Sequence, residues 1–151
     1  MKRHKCLIAL SHDHHHGLLL AQLVKKNAPD YQNLPKDIPG KIDYAKKFYH
    51  SDLSLHFKKE ENALFPAVKG KDKELDELIR TLIAEHLKIT HLVFDLDESG
   101  NAPAVLDELG HLLEDHIRKE ERKLFPLIES NFNDEELEKI ERELNAEENR
   151  S

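Results

Sequence analysis

A single cysteine, Cys6, occurs in the 151 residues. That excludes an internal disulfide framework and makes a reducing compartment, the cytoplasm by default, the expectation. Glycine and proline are scarce, at five and six, while 35% of residues are charged and 38% hydrophobic; this balance suits a helical, soluble chain. No apolar run approaches the ~20 residues of a membrane span. The basic start, Met1 to Leu10, carries an apolar part too short for a signal peptide. A basic excess is lacking too: the formal charge is −7 and no basic patch stands out, which argues against a nucleic-acid partner. No strand pattern competes with the helical periodicities.

Histidine is what the chain has in excess, with 11 copies, more than packing requires. Two of them open a repeated segment. His56-Phe57-Lys58-Lys59-Glu60-Glu61-Asn62-Ala63-Leu64-Phe65-Pro66 returns 60 residues later as His116-Ile117-Arg118-Lys119-Glu120-Glu121-Arg122-Lys123-Leu124-Phe125-Pro126. A His and a Glu at i,i+4 share one face of a helix. Alone such a pair reads as an ordinary solvated pair, but solvated faces have no reason to repeat with Leu-Phe-Pro attached.

The chain is expected to be one all-α domain over residues 1–151. Ser11 offers an N-cap for a first helix that ends near Asn27, with Asp13 in its first turn. Residues 28–40, rich in proline, form a loop. A second helix begins near Lys41, is ended or kinked at Pro66, and closes at Gly70. The third carries the clearest heptad, Leu75, Ile79, Leu82, His86, Ile89, Val93 and Leu96. Residues 99–103 turn the chain into a fourth helix along Leu109, Leu112, His116, Glu120 and Leu127. The pattern predicts an up-down-up-down four-helix bundle over about 7–130. A short, polar, fraying helix capped by Asp134 follows over about 134–146.

Each bundle helix then presents metal-ligand residue types inward. The second and fourth bring His56 with Glu60 and His116 with Glu120. The first and third bring a His preceded by an acid, Asp13-His14 and Glu85-His86. Burying six such groups without partners costs several kcal/mol each, and a metal resolves that cost. Two bridging carboxylates suggest two ions, and mixed nitrogen and oxygen ligands suit iron, manganese or zinc. On the first helix His14 is favoured because Leu18 and Ala21 continue its stripe; His15 remains the alternative, and His16 ranks third. Glu61 and Glu121 are expected beside the ligands or in solvent. His4, His50, His91 and His111 are expected outside the cluster. Tyr49 lies one heptad before His56, as a core residue or a hydrogen-bond donor to the site.

The two His-x-x-x-Glu-Glu-x-x-Leu-Phe-Pro segments, the early Leu10-Ser11-His12-Asp13-His14-His15-His16 and the Glu85-His86 pair resemble the hemerythrin-like, His-His-Glu cation-binding domain. The resemblance implies a non-haem di-iron centre with oxo- or hydroxo-bridged iron ions. It also implies ligands at His14 or His15, His56, Glu60, His86, His116 and Glu120. Oxygen-carrying hemerythrins have a further His one turn from that on the third helix; here the flanking positions are Leu82 and Thr90. The remaining set is similar to bacterial iron-centre repair proteins, which add a Cys-containing segment where this chain has only Cys6. The expected function is therefore binding or sensing of O₂ or NO, or iron handling, with a possible redox partner and no membrane. The alternative is an enzyme or iron donor acting on NO, peroxide or damaged iron centres.

Overall fold

The structure, a computed structural model, describes residues 3–97 and 100–150. Among these residues it is helical with no strand. Five helical rods account for it: α1 (Lys5–Val24), α2 (residues 38–68), α3 (Lys73–Asp95), α4 (residues 102–131) and α5 (Asp134–Arg150). Ser99, in the turn expected before α4, lies outside the described residues.

Two apolar clusters fill the interior. One joins Leu7 and Leu10 of α1, Leu64 and Val68 of α2, Leu75, Ile79 and Leu82 of α3, and Leu124, Phe125 and Ile128 of α4. The other joins Leu20 and Val24, Ala45 and Leu53, Ile89 and Val93, and Leu106, Leu109 and Leu113 of the same four rods in turn. Each of these four rods thus passes from one cluster to the other. The buried polar residues His14, His56, Glu60, His86, His116 and Glu120 fall where the two sets meet on each of these four rods. Gly110 of α4 sits where α1 approaches closest, since a Cβ there would lie 2.6 Å from the Ala21 carbonyl oxygen.

Helix ends depart from the sequence reading. α1 starts at Lys5, not after Ser11, because the His4 side chain accepts the Cys6 N–H. α2 starts at Ile38, where Asp37 accepts the Gly40 N–H at 2.8 Å, so Pro39 and Gly40 belong to its first turn. Pro66 does not end α2. Just before it the hydrogen-bond register widens to i→i+5, with the Phe65 N–H on the Glu60 carbonyl. Pro66 then stands at the start of a fresh α segment, where a missing N–H costs nothing. The same widening at Glu120–Leu124 precedes Pro126 in α4.

α5 is no fraying appendage. Asn133, rather than Asp134, caps it: its side chain accepts the Glu136 N–H while Glu136 accepts the Asn133 N–H, a capping box. The helix runs to Arg150 and buries Leu137, Ile140 and Leu144 against the first cluster. Its buried Glu147 accepts hydrogen bonds from Asn62 and Arg150.

Candidate metal centre

The i,i+4 spacing stacks His56 over Glu60 on α2 and His116 over Glu120 on α4, with Nε2 to Oε2 distances of 3.4 and 3.2 Å. α1 and α3 supply one imidazole each. His14 Nε2 lies 2.9 Å from Glu120 Oε1, and His86 Nε2 lies 3.0 Å from Glu60 Oε1. All six side chains are at most 5% exposed. Their ligand atoms form two groups, His14, His56, Glu60, Glu120 and Glu60, His86, His116, Glu120, each gathered within 4.8 Å. Both groups share the same two carboxylates.

The fit to metal ions rests on what these atoms lack. Nε2 of His56, His86 and His116, both oxygens of Glu60 and Oε2 of Glu120 are buried without any hydrogen bond. Orphaned buried polar atoms are costly and rare. Here they converge from three helices, and all are good donors to a borderline cation.

The outward nitrogens are fully occupied. Each Nδ1 meets a carboxylate: Asp13 at 3.0 Å for His56, Glu121 at 2.5 Å for His14, Glu61 at 2.6 Å for His86 and Glu85 at 2.8 Å for His116. A proton on Nδ1 fixes the tautomer whose Nε2 lone pair points inward, the arrangement that orients imidazole ligands. Two of the carboxylates are braced in turn. Glu121 accepts from Ser11 at 2.8 Å and pairs with Arg3, and Glu85 pairs with Lys119. Ser11 therefore supports the centre rather than capping α1.

Burial opposes charge on all four rings, yet the facing carboxylates outweigh it. His14, His56 and His86 are held above the ordinary imidazole value, and His116 is raised to about 9. Burial likewise opposes ionisation of Glu120, but the charge on His116 and hydrogen bonds to the rings hold its carboxyl well below the usual range. Phe57 stacks on His86 with centroids 3.9 Å apart, and Phe125 stacks on His14 at 5.7 Å. A cavity of about 20 Å³, lined by His14, Gly17, His56, Phe57, Leu113 and Ile117 among others, adjoins the centre. That is room for one small molecule the size of water.

Of the residues expected from sequence, His14, His56, Glu60, His86, His116 and Glu120 come together. His15 does not: it is exposed, because a helical step of about 100° turns it away from His14. His12, His16, His50, His91 and His111 are exposed as well. Tyr49 bonds the Thr90 hydroxyl at 3.0 Å rather than any of the six. Cys6 is buried in the first cluster, its thiol pushed up to about 12 by burial and nearby Glu141 and Glu129. Of the four Nδ1 acceptors, sequence reasoning puts Glu61 and Glu121 beside the ligands or in solvent, and the structure puts both behind ligand rings; Asp13 and Glu85 are noted there only as acids preceding a His. Their signal was present: an acid precedes His14 and His86, and the second Glu of each repeat recurs as faithfully as the first.

The Hemerythrin HHE cation binding domain matches residues 7–128. The chain belongs to the hemerythrin family. No curated protein and no solved structure matched it. The matched span of this hemerythrin domain holds all six clustered residues and all four carboxylates behind the rings, and it ends before α5. No helix among the described residues is long and apolar enough to cross a membrane.

Proposed function

We propose that this hemerythrin-family protein holds two iron ions and binds a diatomic ligand, O₂ or NO, beside them. The observation that carries the reading is the pair of four-residue groups sharing Glu60 and Glu120, with their inward atoms otherwise unpartnered. His14 and His56 would hold one ion, His86 and His116 the other, and the two glutamates would bridge. Iron would supply one-electron redox chemistry and an open coordination position. The protein's residues do the rest: the outward carboxylates hold each imidazole in its ligand tautomer, and Phe57 and Phe125 exclude water from two of the rings. The small cavity beside His14 and His56 suits a diatomic molecule better than a larger substrate. The rods are read as an up-down-up-down four-helix bundle with α5 laid against one end, working in the cytoplasm with a separate redox partner.

The test is purification followed by metal analysis and visible spectroscopy of the reduced, oxidised, O₂-treated and NO-treated protein. About two iron per chain, the bands of bridged ferric ions and a reversible adduct are expected. Zinc alone, or no metal at all, would contradict the reading. His56→Ala and Glu120→Ala should each lose metal, whereas His91→Ala, on the exposed face of α3, should keep it.

A further inference from the structure

The buried centre uses one of the four histidines clustered on α1. His12, His15 and His16 face outward from the turns that carry His14 inward. On a helix His12 and His16 stand at i,i+4, and His12 and His15 at i,i+3, so His12 is common to two neighbouring pairs. The rings meet one another. His12 and His16 have centroids 5.7 Å apart with planes crossed at 84°, and His12 and His15 are 6.1 Å apart at 69°. Among the described residues, no hydrogen bond or ion pair ties any of the three rings to another side chain.

This spacing is close to that of imidazoles sharing a metal. With a nitrogen to metal distance of about 2.1 Å, a ring centre lies roughly 3.2 Å from the ion, and two rings at a tetrahedral angle are roughly 5.2 Å apart. The three nitrogens do not yet converge, since among the described residues only the buried groups gather ligand atoms within 4.8 Å. The rings are exposed, however, and a small change of side-chain torsion closes the difference without disturbing the core. Two or three neutral imidazoles with no carboxylate suit a borderline ion of the zinc or copper type rather than a hard cation such as magnesium.

We infer that His12, with His16 and His15, forms a second metal site on the outer face of α1, which takes one divalent transition-metal ion independently of the buried centre. The probe is zinc, titrated calorimetrically into the untagged, iron-loaded full chain while iron content and visible spectrum are followed. One further zinc per chain is expected, with the iron spectrum unchanged. His12→Gln, which breaks both pairs, should weaken that binding by about tenfold or more, because a second ligand on the same helix acts at high effective concentration. His15→Gln and His16→Gln should each weaken it less. Copper(II) bound there should show nitrogen hyperfine splitting that disappears in His12→Gln. A chain that takes no further zinc, or a His12→Gln chain that binds it as tightly as the parent, would overturn the inference. His56→Ala separates the two sites: it should lose the iron centre and keep the surface zinc.

Discussion

At the scale of single residues, the centre is a set of charges balanced for a metal. Each imidazole is held between an outward carboxylate and an inward one, which is why all four titrate high. A folded-state pKa raised to about 9 for His116, against an unfolded value of about 6.5, fixes the sign of its effect. The stabilisation is complete below about pH 6.5 and is lost as pH rises through about 9. The depressed carboxyl of Glu120 acts in reverse: its stabilisation is complete above the usual glutamate range and is lost as pH falls from there through its depressed folded value. Chain stripped with a chelator should therefore be most stable in mildly acidic solution and weaken toward pH 9, as urea denaturation at stepped pH will record. Because ligands must be neutral imidazoles, reloading metal near pH 7 should release protons into a weakly buffered dye solution. A flat stability profile with no proton release would show that the rings are already neutral.

Among elements, the contact of α1 with α4 is the tightest and rests on glycine. Gly110→Ala would place a methyl group 2.6 Å from the Ala21 backbone oxygen and 3.1 Å from Val24 Cγ2, and a backbone carbonyl cannot swing aside. The expected cost is about 1–3 kcal/mol, read as a lower urea midpoint; an unchanged midpoint would mean the helices separate easily. The elements were legible in the sequence where the apolar spacing was long and regular, as along α3, whose whole predicted heptad is buried, His86 included. Their ends were less legible. Ser11 looks like a cap by composition, yet its hydroxyl is taken by Glu121, and His4 does the capping. Pro66 looks like a stop because the widened register before it leaves no mark in residue spacing. That widening follows the Glu of each repeat, at the point where irregular helix turns cluster in functional sites.

For the whole molecule, the repeat makes the centre readable in the sequence, because the fold brings its two copies, on α2 and α4, to one site. The packing of α5 is hidden in the sequence for the opposite reason. Its composition is almost entirely charged, and three apolar residues at helical spacing were too few to announce a buried stripe. The arrangement of the carboxylates also crosses between the two halves of the bundle sequence, α1 with α2 and α3 with α4. His14 in the first half rests on Glu121 of the second, and His86 in the second half rests on Glu61 of the first. Each four-residue group takes one glutamate from each half. The segment between the halves, residues 69–72, is therefore a tether that a metal-loaded centre would make redundant. Protein nicked there should stay together and unfold nearly as the intact chain does while metal is bound. Once chelated it should fall apart at lower denaturant, with a midpoint that now depends on protein concentration. Equal behaviour with and without metal would mean that the apolar clusters alone hold the halves. Otherwise the ions act as a clasp, and losing them turns one cooperative molecule into two weakly associating partners.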